Sequence, residues 1–130
     1  MKYLSLAEAL FIASEITGTS ANTLARISRV DLLDSALAVP ASSFDGEEFY
    51  PNIFDKAAVL GSRIVRNHPL HDGNKRLAWS SVVIFLDLNG VNLQVSDDDA
   101  VSTILNLAAD SLGEKDFSSW LQGNSTLKGV

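Results

Sequence analysis

Apolar positions along this chain recur mainly at helical spacing. Ser5-Leu6-Ala7-Glu8 has the spacing of a capping box, in which a hydroxyl and a carboxylate satisfy the first free amides of a helix. Leu6, Ala9, Leu10 and Ala13 continue as one apolar stripe, which predicts a first helix ending at Gly18. A second, short helix is expected from Val30 to Leu37, stopped by Pro40. Pro40 to Pro51 is rich in Pro, Ser, Gly and Asp and has no apolar period, so it predicts a loop. Phe44, Phe49 and Tyr50 within it read either as a flap that packs over something or as anchors pinning the loop to the core.

A third helix is predicted from Ile53 to Arg66, with Ile53, Ala57, Leu60, Ile64 and Val65 inward and Lys56, Arg63 and Arg66 outward. Pro69 forbids simple continuation. The next helix begins near Asn74 and stops at Asn89-Gly90. Its apolar residues, from Leu77 through Val82 to Leu88, cover nearly every face, so it is expected at the centre of the domain. Val91, Leu93 and Val95 alternate like a very short strand or extended link. Ser96 with Asp97, Asp98 and Asp99 opens a fifth helix to about Ala109. Asp116 opens a last one carrying Phe117, Trp120 and Leu121. The pattern predicts an all-α domain over residues 1–123, of about six helices around one central buried helix, followed by a disordered tail over 124–130.

Composition narrows the class. The chain has 130 residues, 46% of them apolar and 20% charged, which reads as one globular domain with a real core. It has no cysteine, which excludes disulfides, zinc–thiolate sites and a thiol nucleophile and fits a reducing compartment. Glu8 and Glu15 interrupt the first apolar segment, so no signal peptide is read there. Asp87 and Asn89 break the longest apolar run before it could span a bilayer. The net charge of −6 argues against direct nucleic-acid binding. A cytoplasmic protein with no membrane or nucleic-acid partner is expected.

The candidate chemistry lies in residues 68–76, His68-Pro69-Leu70-His71-Asp72-Gly73-Asn74-Lys75-Arg76. A helix normally carries acids in its first turn, where they complement the macrodipole. This one carries Lys75 and Arg76. Cations beside free backbone amides suit a docked polyanion, most simply phosphate.

The order His-x-Phe-x-Asp/Glu-Gly/Ala-Asn-Lys/Gly-Arg is the signature of the Fic/Doc superfamily, which the chain resembles at His68, Asp72, Gly73, Asn74, Lys75 and Arg76. It departs at Leu70, a packing position where phenylalanine is usual. The likeness extends outward through Leu32 to Ala36, Phe44 to Glu47, Tyr50-Pro51, Arg66-Asn67 and Phe85-Leu86, covering most of residues 30–90. Short length and Lys75 make it similar to the Doc branch, the toxins of toxin–antitoxin pairs. The resemblance implies transfer of part of a nucleoside triphosphate, ATP or another, to a protein hydroxyl. In Doc-type members this is phosphorylation of elongation factor Tu, which halts translation; in most Fic members it is AMP transfer.

The side chains suit such a reaction. His68 is the candidate base for a serine or threonine hydroxyl. Asp72 is the candidate ligand of a nucleotide-bound Mg²⁺. Gly73 lets backbone approach phosphate closely. Asn74 and Arg76 can donate to phosphate oxygens, and Lys75 can neutralise charge. Phosphoryl transfer asks mainly for this positioning and electrostatics.

Taken one by one, the same residues have plainer readings. His68 alone would be a cap or surface residue, and Asp72 or Asn74 an N-cap. Trp79 reads as core, Asp97 to Asp99 as first-turn acids, Arg63 and Arg66 as a solvated face. His71 keeps its plain reading, because that position varies in the family.

The family's own inhibitory signature, Ser/Thr-x-x-x-Glu-Gly/Asn, has no match: the glutamates are followed by Ala9, Ile16, Glu48, Phe49 and Lys115. The resemblance thus implies inhibition in trans by an antitoxin, expected to dock an amphipathic helix in an apolar groove. Phe44, Asp45, Gly46 and Glu47 correspond to the family's target-docking flap, which aligns the substrate chain by backbone pairing. A ribonuclease toxin using His68 and His71, or a non-catalytic binding module that kept the motif, are the competing classes.

Overall fold

The caps read from the sequence set many of the helix ends in the structure, a computed structural model that describes residues 1–129. Helix α1 (Leu6–Thr17) starts at the capping box, with Ser5 N–H donating to Glu8 Oε1 at 2.9 Å and Glu8 N–H to Ser5 Oγ at 3.1 Å. Those bonds hold the Glu8 carboxyl below its ordinary value. Gly18 ends the helix at φ 73°, a conformation only glycine adopts freely. Ser96 likewise caps α6 (Asp97–Ala108), and Asp97, Asp98 and Asp99 fill its first turn.

The chain orders α1, α2 (Ala21–Ile27), α3 (Val30–Ala38), a 3₁₀ turn over Val39–Ala41, the hairpin β1 (Ser43–Phe44) and β2 (Glu47–Glu48), then α4 (Ile53–Asn67) and α5 (Asn74–Leu88). After them come β3 (Val91–Leu93), α6, α7 (Glu114–Gly123) and β4 (Ser125–Leu127). The described residues thus form seven helices. The additional one, α2, has a Ser20 cap but only Leu24 buried, so no apolar stripe announces it.

Two helices share the centre. α4 packs against α3, α5, α6 and α7, and α5 packs along it. α4 is the more enclosed, because Ala57, Ala58, Gly61 and Ser62 let its neighbours close in. A Cβ on Gly61 would lie 2.9 Å from Val82 Cγ2 and 3.2 Å from Phe117 Cε2. α5, expected to be covered on nearly every face, leaves Ile84 and Leu88 exposed toward α1. Trp79 is half-buried, with its ring centroid 6.1 Å from that of Trp120.

Other expectations need correcting. Residues 125–127, placed in a loose tail, form β4 antiparallel to β3, pairing Val91 with Leu127 and Leu93 with Ser125. The hydrogen bonds of Gln94 N–H to Asn124 O (2.8 Å) and Lys128 N–H to Gly90 O (2.9 Å) extend that pairing at both ends. The Pro40–Pro51 segment is a hairpin in its middle, with Ser43 opposite Glu48 and Phe44 opposite Glu47. Phe44 and Phe49 are exposed, at 75% and 62%, so neither pins it to the core. Lys56, predicted outward, is buried at 1% because Pro40 and Glu48 give its ammonium partners.

Candidate active site

α4 hands over to α5 through residues 68–73, and the backbone there is built by specific bonds. His68 closes α4 at φ 51°, ψ 56°, with its N–H on Ile64 O at 3.1 Å. A side-chain-bearing residue in this left-handed region costs about 1–2 kcal/mol, and Asp45 and Asp110 adopt it too. The His68 side chain is exposed.

Asn74 shapes the rest of the loop. Its Oδ1 accepts from Leu70 N–H at 2.9 Å, and its Nδ2 donates to Leu70 O at 2.9 Å. It was expected to donate its side chain to phosphate. At 5% exposure it faces inward instead, and what it offers a ligand is its backbone N–H.

Further bonds tie the loop to the rest of the fold. Arg29 N–H donates to Pro69 O at 2.9 Å. His71 Nε2 meets Ile27 O at 2.9 Å, and since a carbonyl only accepts, Nε2 carries the proton. Arg76 Nη1 donates to Ile16 O at 3.2 Å, at the end of α1. Asn67 Nδ2 holds Leu32 O at 2.9 Å. Arg29 and His71 thus serve the loop without belonging to the expected ligand set. Only the motif's density of polar residues hinted at such bracing.

α5 begins without a side-chain cap and with no acid in its first turn. Its first helical bond is Leu77 N–H to Gly73 O at 2.9 Å, so the amides of Asn74, Lys75 and Arg76 precede the ladder. Gly73 sits at φ 94°, and a Cβ there would lie 3.4 Å from Thr17 Cγ2. Lys75 and Arg76 are exposed beside this terminus. The amides, the dipole and the cations all favour an anion at one place.

Asp72 is also exposed and lies next to Gly73. Among the described residues, no group of three or more His, Asp or Glu is placed to hold a metal. Asp72 is a single exposed carboxylate, a donor that would hold a magnesium ion only together with phosphate oxygens of a bound nucleotide.

The structure gathers His68, Asp72, Gly73, Lys75 and Arg76 at one helix junction. Phe44, Asp45, Gly46 and Glu47 belong to a separate element, an exposed hairpin tethered to α4 at Lys56. Lys56 precedes His68 by about three helical turns, ~18 Å along the axis.

Two hollows flank the terminus. One of ≈ 210 Å³ lies behind the loop, bounded by Leu24, Ile27, His71, Asp72 and Arg76. On the other side a groove of ≈ 530 Å³ runs between α1, α5 and α6, with Lys75 and Arg76 in its wall beside Ile16, Trp79, Val101 and Leu105. It shares Glu15, Ile16 and Ser80 with a further hollow of ≈ 400 Å³ lined by Phe11, Ile84 and Leu88.

The family model described as Fic/DOC family matches residues 3–86. The chain is 44% identical over 79 residues to Toxin Doc of Mycolicibacterium smegmatis (strain ATCC 700084 / mc(2)155), a match covering 60% of this chain and 61% of that protein. The segment matched by the family model contains α1 to α4 and most of α5 and so includes the loop, while the chain spans about three fifths of the length of that curated relative.

Proposed function

The chain belongs to the Fic/DOC family, and from that premise we propose that it is the toxin of a toxin–antitoxin pair, a transferase that moves the γ-phosphoryl group of a nucleoside triphosphate to a serine or threonine hydroxyl of a target protein. The observation that carries this reading is the uncapped N-terminus of α5, with Lys75 and Arg76 in its first turn and a loop braced behind it.

Triphosphate oxygens take the amides of Asn74, Lys75 and Arg76, with the Arg76 fork and the Lys75 ammonium neutralising their charge. Asp72 holds the nucleotide's Mg²⁺, which when bound supplies further charge neutralisation. His68 accepts the proton as the target oxygen forms its bond to the γ-phosphorus and the bond to the nucleoside diphosphate breaks. The hairpin offers its backbone edge to the target, flanked by the exposed Phe44 and Phe49.

The groove between α1, α5 and α6 suits the inhibitor. Phe11, Ile84, Leu88, Val101 and Leu105 are exposed apolar side chains along it, and it ends at Lys75 and Arg76. An antitoxin helix with one apolar face and an acidic end would fill it and cover the anion site.

The test is transfer of label from γ-labelled ATP to elongation factor Tu, with Mg²⁺ present. His68→Gly is the matched control. Glycine adopts φ 51° at little cost, so this variant is expected to be as stable as the wild type or more so, while transfer is lost. Label arriving only from the α-phosphate would overturn phosphoryl transfer in favour of AMP transfer. Undiminished transfer by His68→Gly would remove His68 as the base.

A further inference from the structure

Among the described residues Lys56 is the one charged side chain that the fold buries, and the chemistry at the loop makes no use of it. Its ammonium donates to Glu48 Oε1 at 2.6 Å and to Pro40 O at 3.0 Å, and lies 5.5 Å over the Tyr3 ring. Burial pushes the ammonium down, but the bonds with Glu48 and Tyr3 more than offset it and leave it above its ordinary range.

These partners are not scattered. Pro40 precedes β1 and Glu48 lies in β2, so one ammonium holds both feet of the hairpin. The hairpin has little else to order it. Its ladder consists of Ser43 opposite Glu48 and Phe44 opposite Glu47, closed by Phe49 N–H to Ser42 O at 3.1 Å. Residues 43–49 are all exposed. A two-stranded ribbon of this kind is marginal by itself. Lys56 also stands on α4, the helix that ends at His68, so the tether fixes hairpin and loop to one rigid body.

We propose that Lys56, through Glu48, is the positioning residue of the hairpin, setting the backbone edge on which a target segment docks. This rests on the docking role given to the hairpin above. The pair touches neither nucleotide nor target hydroxyl, so its loss should weaken target binding and spare the chemistry.

Two variants test it. Glu48→Ala removes the half-exposed partner, and Lys56→Met removes the ammonium while keeping an apolar stem. Amide hydrogen exchange across residues 42–50 should quicken about tenfold in both, with residues 70–77 unchanged. With elongation factor Tu as the protein probe, KM should rise about tenfold while kcat stays within about twofold. Affinity for Mg²⁺–ATP, by calorimetry, should not move. Wild-type exchange rates over 42–50 in Glu48→Ala would overturn the proposal, and so would a fall in kcat at constant KM. Should Lys56→Met fail to fold, Glu48→Ala decides alone. If the wild type transfers phosphate to no protein, the exchange experiment still decides the tether, and that failure counts against the enzymatic reading only.

Discussion

Replacing Asn74 with alanine removes both bonds that hold Leu70, a residue only 2% exposed. The Leu70 N–H and C=O then have no side-chain partner, and each buried orphan of this kind costs about 1–3 kcal/mol. Truncation at the helix start lets some solvent reach the loop, so a total in the lower half of the two-group range of about 2–6 kcal/mol, about 3 kcal/mol, is expected. For a chain of 130 residues this lowers the thermal midpoint by roughly 10 °C. The measurement is urea and thermal unfolding of ligand-free protein, so that nucleotide affinity plays no part. Asn74→Asp is a sharper control. It keeps an acceptor for Leu70 N–H but turns a second oxygen, an acceptor, toward Leu70 O, and should be destabilised at neutral pH as well. If ligand-free Asn74→Ala is as stable as the wild type to within about 0.5 kcal/mol and only nucleotide binding suffers, then Asn74 is a ligand donor and the clamp is wrong.

Gly61→Ala sets two effects of opposite sign against each other. Helix propensity favours alanine by about 1 kcal/mol, yet its Cβ would stand 2.9 Å from the stiff Val82 methyl, and overpacking costs about 1–3 kcal/mol. A net loss of about 1 kcal/mol is expected by urea unfolding, and a raised midpoint would refute it. The Lys56 ammonium is held above its ordinary value of 10.5, so folding keeps its proton more tightly than the open chain does. Its contribution is complete below that value and disappears as pH rises through the higher folded pKa. Wild-type stability should therefore fall more steeply above about pH 10.5 than that of Lys56→Met, and parallel profiles would count against the buried pair.

What the sequence disclosed followed from local chemistry. Ser5 with Glu8, Gly18 and Ser96 name their helix ends because a cap is satisfied by residues a few positions away. What it concealed depended on partners far along the chain. Lys56 reads as an outward cation in any amphipathic pattern, since Pro40 O and Glu48, which permit its burial, lie outside its helix. β4 is invisible until Ser125 to Leu127 meet Leu93 to Val91 across more than thirty residues. α2 has no apolar stripe and relies on Ser20 and on His71 bonding Ile27 O. At the loop itself residue type does not give the direction of each side chain, so Asn74 reads as a ligand donor in the sequence while its amide turns inward to Leu70.

The polar residues of residues 67–76 then fall into two sets by direction, and the division has a physical reason. A phosphate site needs donors already in place before the anion arrives, because donors that must be ordered on binding surrender that entropy from the affinity. Asn67, His71 and Asn74 turn to backbone carbonyls and amides of the protein, and they provide this order without ligand. Lys75, Asp72 and His68 are left exposed, free for the ligand proposed above, and Arg76 belongs to both sets, exposed yet with one N–H on Ile16 O. Substitutions in the first set should therefore register in the unfolding of the free protein, and those in the second in transfer alone. Arg76 is where both should change together, and its double effect is the signature that the anion site and the end of α1 are one construction.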